Sequence, residues 1–493
     1  MVFFAALLLL LFPTKRFALR GPQIIAIWLV VEEFMQALTE YRHIHCIGIG
    51  GIGLSAVADI LLKRGHWVSG SDLKPGDITE KLKSQGALIF SDHDESNIQG
   101  ADLVVYSSAV SPDNPELIAA ERNGIPIVSR AAVLGALMKE YDGSIAVSGT
   151  HGKTTTTSMI SLILEHAGCD PTILVGGNLP EFDGNVKVGK GDYIVTEACE
   201  YMDSFLSLYP KYKIILNIDS DHLDYFKDID HIVSSFDRFA RLEPKDGVVI
   251  AYNANPFVKS IIKTLQGKVI TFGLDEQSDY YAENIRFNTA GMPSFDLLYQ
   301  GEKLGSLQLS VPGEHNIINA LAAAACCRDL GVDAEHIIST LEGFTGTQRR
   351  FDIIGITKNG LRIVDDYAHH PTEIKATLSA AVNVPHKNLW CLFQPHTYTR
   401  TLALFEEFAQ AFQLADKVIL AEIYAAREKN IYKISSKELV TEIKRTHPDK
   451  EVYYFESFDE IANFVVNNGE PGDLVITMGA GDIYKVAEII LSK

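Results

Sequence analysis

This chain lacks the cysteine pairing that would signal a disulfide framework or a zinc site. Its six cysteines, Cys46, Cys169, Cys199, Cys326, Cys327 and Cys391, are scattered without a Cys-x-x-Cys spacing. That pattern fits a reducing compartment. Positive charge is also scarce, with a formal net charge of −19. So acidic a surface repels nucleic acid and anionic membranes, which excludes both as expected partners. An anionic small molecule would have to be met by local cations set into the acidic body. Long hydrophobic runs are missing too. Val2–Phe12 and Ile24–Val31 are apolar, but neither reaches the roughly 18 to 20 residues of a membrane span. No basic residue precedes the first run, and no small-residue cleavage site follows it. We read residues 1–36 as an upstream extension outside the fold, from a misassigned start codon. A membrane-associating segment and a signal peptide are the alternatives. Internal repeats and low-complexity stretches are absent.

What is present is a globular composition. The 493 residues are 47% hydrophobic and 22% charged, enough for a large core and for two to four domains. From Ile44 to about Leu137, strands alternate with helices: His43–Ile47, a helix over Leu54–Arg64, Trp67–Asp72 and Val104–Val110. The rhythm starts again at about Gly143. There Ser144–Ser148 is a strand and a helix runs on through Ala167. Tyr193–Glu197 and Ile214–Ile218 are further strands, and hairpin-like strands lie near Lys268–Phe272 and Ser294–Leu298. Asn316–Leu330 reads as a helix ended by Gly331. A third segment from about Arg350 carries strands at Leu361–Asp366, Asn388–Phe393, Lys417–Leu420, Glu451–Phe455 and Leu474–Thr477. Such alternation predicts α/β architecture with parallel sheets.

The strongest motif is Gly149-Thr150-His151-Gly152-Lys153-Thr154-Thr155, between a strand and a helix. A phosphate chain needs inward N–H donors, a helix N-terminus and one lysine across the terminal oxygens. A threonine hydroxyl after that lysine suits Mg²⁺. Val147 stands where the full P-loop pattern has its first glycine, so this is a shortened variant. A coincidental glycine turn is the competing reading. Gly48-Ile49-Gly50-Gly51-Ile52-Gly53 follows the first strand and fits the spacing that lets backbone approach a pyrophosphate, in a dinucleotide or a nucleotide sugar. Asp72 ends the next strand, near where a ribose-binding acid lies. A plain tight turn is the alternative.

Glu197 ends one strand, and Asp219, Asp221, His222 and Asp224 follow another. Hard oxygen ligands there suit Mg²⁺, against the reading of a solvated acidic turn; Cys199 and Glu200 are ambiguous. Asn316 and Asn319 offer donor and acceptor to an adenine edge, or simply cap a helix. In the last segment Asp365–Pro371 and Gln394–Arg400 follow strands, and Arg349 and Arg350 precede the first. Loops after adjacent parallel strands open on one sheet edge, where arginines clamp phosphate or carboxylate. Buried histidines and surface charge are the bland readings of this group.

Taken in order, Gly-Ile-Gly-Gly-x-Gly, Gly-Thr-His-Gly-Lys-Thr-Thr, Asp-His-x-Asp, Glu-His-Asn-x-x-Asn-Ala and Asp-Asp-Tyr-x-His-His-Pro resemble the Mur ligases of peptidoglycan precursor synthesis. The resemblance runs from about Ile44 to the C-terminus, and the two glycine loops look most like the alanine-adding branch. It implies a Rossmann-like N-terminal domain for the UDP substrate (37–142), a P-loop-type central ATPase domain (143–347) and a Rossmann-like C-terminal ligase domain (348–493). The implied reaction joins L-alanine to the carboxylate of UDP-N-acetylmuramate, with ATP and Mg²⁺, in a cytoplasmic monomer or homodimer serving cell-wall biogenesis, cell shape and division. ATP makes an acyl phosphate, and the amine displaces phosphate from it.

The resemblance assigns Gly149, Thr150, His151, Gly152, Lys153, Thr154 and Thr155 to the ATP phosphates and Asn316 and Asn319 to adenine. Thr154, Glu197 and His222 would hold Mg²⁺. Gly50, Gly51, Asp72 and Ser107 would meet the uridine-nucleotide end. Arg350, His369 and Arg400 would arrive as the third domain closes. Two departures stand out. Ser234–Arg238 holds no lysine where several family members carry a carbamylated one, which agrees with the alanine-adding branch. Cys199 stands in an aspartate's place. Rival readings are a recycling ligase that attaches a tripeptide, a folylpolyglutamate synthetase, a non-catalytic nucleotide-binding regulator and a NAD-dependent dehydrogenase.

Overall fold

The computed structural model describes residues 38–182, 184–426 and 428–493; the extension read at residues 1–36 lies outside them. The first strand, β1 (His43–Ile47), is buried along its whole length. Burial on both faces is the mark of a strand inside a parallel sheet, and here it takes in two histidines, His43 and His45. β1 sits between β2 (Trp67–Ser71) and β4 (Leu103–Tyr106), with β3 (Leu88–Phe90) and β5 (Ile127–Ser129) outside them, all five parallel. The order β3-β2-β1-β4-β5 reverses direction between β1 and β4. Such a switch point opens a crevice at the carboxyl ends of the strands.

Ten strands form the second sheet: β6 (Gly143–Ser148), β7 (Thr172–Leu179), β8 (Gly184–Lys187), β9 (Tyr193–Glu197), β10 (Tyr212–Ile215), β11 (Val248–Tyr252), β12 (Lys268–Gly273), β13 (Tyr280–Phe287), β14 (Pro293–Tyr299) and β15 (Glu302–Gln308). Their order is β15-β14-β13-β12-β11-β10-β6-β9-β7-β8. The third sheet takes the order β16-β17-β21-β18-β19-β20, from β16 (Asp352–Ile356), β17 (Arg362–Asp366), β18 (Leu389–Phe393), β19 (Lys417–Leu420), β20 (Glu451–Tyr454) and β21 (Leu474–Met478). Only the edge strand β16 runs antiparallel there.

Several expectations from the sequence need correction. Lys268–Gly273 is not half of a hairpin: it runs parallel to β11, and the antiparallel pairs that follow it are β13–β14 and β14–β15. The strand expected at Ile214–Ile218 ends at Ile215. Leu216 and Asn217 turn away to bond the phosphate loop, through Leu216 N–H to the Ser148 carbonyl and Thr150 N–H to the Asn217 carbonyl. Val104–Val110 stops at Tyr106, because the Ser107 carbonyl accepts from Val110 N–H and closes a turn.

The three sheets are joined unequally. One hydrophobic cluster runs without a break from Ile44 and Leu61 of the first segment to Ile194, Phe205 and Phe236 of the second. The helix Arg130–Met138 carries much of it. Its Gly135 lies so close to the next domain that a Cβ there would sit 2.0 Å from the Ser207 carbonyl oxygen. The apolar clusters of the third sheet contain no residue before Phe351, so that sheet meets the others chiefly through polar contacts. Interfaces of that kind permit domain movement.

Inside the first sheet Glu116 is fully buried. Its carboxylate accepts from the Ser71 hydroxyl (2.7 Å) and the Asn97 amide (3.0 Å), with the rings of His45 (3.2 Å) and His93 (2.8 Å) against it. Burial alone would raise its pKa, but the hydrogen bonds from His45, Ser71 and Asn97 outweigh burial and hold it below the usual carboxylate value. A group depressed in the folded state contributes stability above its unfolded pKa and loses it as pH falls through the folded one. Urea unfolding of a Glu116→Ala variant is therefore expected to show a loss of about 2–4 kcal/mol at neutral pH, from donors left unsatisfied. That deficit should shrink below about pH 4 as the wild-type carboxylate protonates.

Candidate active site

The phosphate loop leaves β6 at Ser148 and enters the helix Lys153–His166. Gly152 takes a left-handed φ of 86°, and a Cβ there would lie 2.6 Å from Asn319 Oδ1. Only glycine meets both conditions. Asn319 is buried beneath the loop. Its Oδ1 accepts from the Thr156 hydroxyl, and its amide donates to Asn316 Oδ1, whose own amide donates to the Pro312 carbonyl. Neither asparagine caps the helix Glu314–Asp329, so the capping alternative falls away. Both line a cavity of about 480 Å³ together with His151, Gly152, Thr155 and Arg350.

Lys153 donates to the carbonyls of Gly149 and Thr150 and pairs with Glu200 at 2.9 Å. Burial opposes its charge, but Glu200 more than compensates and raises its pKa. Glu200 is itself buried, and the sequence reading had left it undecided. Its signal was position: it follows the end of β9 closely, on the sheet edge where the phosphate loop opens. Glu197, the last residue of β9, accepts from Gly176 N–H at 2.6 Å through Oε1, and its Oε2 has no hydrogen-bond donor among the described residues. A Cβ on Gly176 would lie 2.8 Å from both oxygens, which accounts for a glycine inside β7. Thr154 is buried in the first helical turn.

His222 lies in a second cavity of about 310 Å³, with Tyr201, Asp221, His396 and Arg400. The Arg400 guanidinium bonds Asp221 through Nε and Nη2, both at 2.9 Å. His222 packs on the Tyr201 ring, with centroids 4.7 Å apart. The third sheet delivers further contacts to the same loop. His370 Nε2 lies 2.9 Å from the Ser220 carbonyl, and the Thr372 hydroxyl donates to Asp219. Arg350 lies over the Tyr367 ring. Arg349 instead bonds Asp365 and the Gly479 carbonyl and braces the third domain. Burial drives the His369 pKa down to about 3 against the opposing charge of Glu373, so that ring is a neutral hydrogen-bonding group. Non-glycine residues with left-handed backbone gather around this cleft: Met202, Asp203, His222, Arg349, Phe351 and Thr397. Each costs about 1–3 kcal/mol and persists only where its surroundings enforce it, which is common at functional sites.

At the first loop, Gly48 takes a left-handed φ of 81°, and Ser107 Oγ lies 2.9 Å from where its Cβ would stand. Gly51 is exposed. Asp72 accepts from Gly50 N–H at 2.9 Å and from Lys74 N–H, so its carboxylate staples the loop. Arg130, which sequence reasoning missed, reaches the same loop from the end of β5. The rule that ligand groups follow parallel strands would have found it.

The sequence profile of the Mur ligase family catalytic domain matches residues 43–142, that of the Mur ligase middle domain 147–327, and that of the Mur ligase glutamate ligase domain 349–481. The chain is 52% identical to the UDP-N-acetylmuramate–L-alanine ligase of Alkaliphilus metalliredigens over 92% of this chain and 98% of that relative. It is 50% identical to the ligase of the same name from Caldanaerobacter subterraneus over 92% of this chain and 98% of that one. The crystal structure of UDP-N-acetylmuramate–alanine ligase from Thermotoga maritima superposes with a TM-score of 0.77 at 31% identity, covering 91% and 98% of the two chains. A murein peptide ligase from Psychrobacter arcticus gives 0.69 at 27%, covering 92% and 98%.

One charge in this cleft has a measurable pH signature. His151 sits between Asp219 of the second domain and Glu373 of the third, at 3.3 Å from each. Burial would lower its pKa, but those two carboxylates raise it to about 9. A raised folded-state pKa gives stability that is complete below the unfolded value near 6.5 and is lost as pH rises through about 9. In ligand-free protein, the wild type is expected to lose about 2–3 kcal/mol relative to a His151→Gln variant between pH 6.5 and 9.5, read by urea unfolding at each pH.

Proposed function

The chain belongs to the Mur ligase family, and we propose that it joins L-alanine to the carboxylate of UDP-N-acetylmuramate, consuming ATP, in peptidoglycan precursor synthesis. The observation that carries this reading is the facing of two loop systems across one cleft. The phosphate loop at 149–155 lies on one side. The third-domain loops bearing His369, His370 and Arg400 lie on the other, closed on Asp219–His222. We set the domain divisions at 37–142, 143–347 and 348–493.

A carboxylate is a poor acyl donor to an amine, because its leaving group would be oxide. Attack of the carboxylate oxygen on the γ-phosphorus breaks the bond to ADP and gives an acyl phosphate. The alanine amine, once deprotonated, then attacks the acyl carbon, and phosphate leaves. Positioning and charge neutralisation supply most of the rate in such phosphoryl transfers. In this reading Gly149–Thr155 cradle the phosphates, and the Lys153 ammonium exchanges Glu200 for the transferring phosphoryl oxygens. Asn316 and Asn319 meet the adenine end in the 480 Å³ cavity. Gly50, Gly51 and Ser107 approach the uridine-nucleotide end, with Asp72 holding the loop in shape.

The unpartnered Glu197 oxygen beside the Thr154 turn is the hard donor Mg²⁺ prefers, and His222 faces the same cleft as the further ligand. Bound there, Mg²⁺ would neutralise charge on the phosphates. Arg400 and His369 orient the amino acid in the smaller cavity, whose apolar end of Ala403, Leu404 and Ala426 suits a methyl side chain. Arg350 bears on the phosphate side. Dependence on ATP and a nucleotide sugar assigns the protein to the cytoplasm. No helix among the described residues is long and apolar enough to cross a membrane.

Phosphate release from Mg-ATP and UDP-N-acetylmuramate tests the reading. It is expected to require L-alanine and to fall at least about 1,000-fold in Lys153→Ala, about 4 kcal/mol of lost transition-state stabilisation. Release supported only by a tripeptide acceptor would instead assign the chain to the recycling ligases.

A further inference from the structure

Arg130 is a cation near the cleft whose charge the preceding roles leave unused. It opens the helix Arg130–Met138 directly after β5. Its guanidinium packs over the last glycine of the first loop: a Cβ on Gly53 would stand 3.1 Å from Nη1 and 3.2 Å from Cζ and Nε. The same guanidinium is close enough to Glu197 and Cys199, at the end of β9, to feel both groups. It therefore stands against the loop proposed to meet the UDP pyrophosphate and within electrostatic reach of Glu197, the proposed Mg²⁺ ligand.

Its surroundings leave it without a partner. Arg130 is partly buried, and it makes no hydrogen bond or ion pair within the described residues. The neighbouring cations differ. Lys153 pairs with Glu200, Arg349 with Asp365 and Arg400 with Asp221, while Arg350 lies over Tyr367. A desolvated guanidinium with no directly bonded carboxylate is costly. It is the fork that a planar carboxylate completes through two parallel hydrogen bonds.

We propose that Arg130 binds the carboxylate of the nucleotide sugar and holds it for attack on the γ-phosphate. This rests on the nucleotide-sugar reading above. The substrate carries its pyrophosphate on C1 and its carboxylate on the lactyl ether at C3 of one sugar unit. Arg130 stands where the second must arrive when the first lies against Gly48–Gly53. The carboxylate oxygen that attacks phosphorus needs its charge oriented, not cancelled. A guanidinium does that by hydrogen-bonding both oxygens while leaving a lone pair on the attacking one.

Calorimetric titration of the full chain with UDP-N-acetylmuramate and with UDP-N-acetylglucosamine, which lacks the O-lactyl group that bears the carboxylate, tests this. The wild type is expected to bind the first at least tenfold more tightly. Arg130→Ala should abolish that preference while leaving the affinity for the second within about twofold, and Arg130→Lys should restore part of it. Thermal melts of each variant separate lost binding from lost folding. In turnover, the KM for the carboxylate substrate should rise while the KM for ATP holds. A preference that survives in folded Arg130→Ala, or no preference in the wild type, overturns the assignment of Arg130 while leaving the nucleotide-sugar reading standing. A wild type that binds neither nucleotide sugar sinks that reading itself and this one with it.

Discussion

The ammonium of Lys153 needs a counter-charge whether or not a nucleotide is bound, because the loop that holds it is largely closed to water. Glu200 supplies it here at 2.9 Å. Much of the cleft follows from that requirement. Bringing an acid to Lys153 fixes the path of the chain after β9, and the strained turn at Met202 and Asp203 comes next. That turn sets Tyr201 against His222. Asp203 is pinned in turn by the Tyr225 hydroxyl, Ser235 and Arg238. In the reading proposed above, phosphate displaces Glu200 from Lys153, so that ligand binding is an exchange of partners. Such an exchange spares the cost of uncovering a bare charge.

The same logic separates the two interfaces. Between the first and second domains the seam is apolar and continuous, and apolar contact does not depend on ligand or pH. Between the second and third it is made of Asp219, Ser220 and Asp221 meeting Thr372, His370 and Arg400. Polar contacts of this kind reform with other partners at little net cost, since each group can bond water or substrate instead. One half of the active site is thereby a fixed platform, and the other half is a cover whose fastenings are groups that also face the substrates.

Much of this was legible in the sequence, and the failures have physical causes. The three α/β segments, the phosphate loop and the acidic strand ends could be read because each depends on local chain: a strand, a glycine turn, a helix start. The end of β4 was misplaced because a local turn, closed from Val110 N–H to the Ser107 carbonyl, stops it, and that of β10 because a tertiary hydrogen bond from Thr150 N–H to the Asn217 carbonyl draws the chain away. Lys268–Gly273 was taken for a hairpin because its parallel partner β11 is distinguished only by its neighbours in space. Glu200 and Arg130 were passed over for a related reason. Each draws its meaning from a residue far away in the chain, Lys153 for one and Gly53 for the other. Asp72 was legible from its position after β2, and its carboxylate also holds the Gly50 turn.

The close approach at Gly135 bears on how this architecture can be inherited. Because its missing side chain is filled by the Ser207 carbonyl, the helix Arg130–Met138 and the turn Tyr201–Ser207 fit as two halves of one mould, although they belong to different domains. Recombination that exchanged the nucleotide-sugar domain alone between related genes would bring together halves shaped against other partners. The smallest interchangeable cassette is then the first domain together with the 201–207 turn. The third domain, fastened by replaceable polar contacts, is free to be traded on its own.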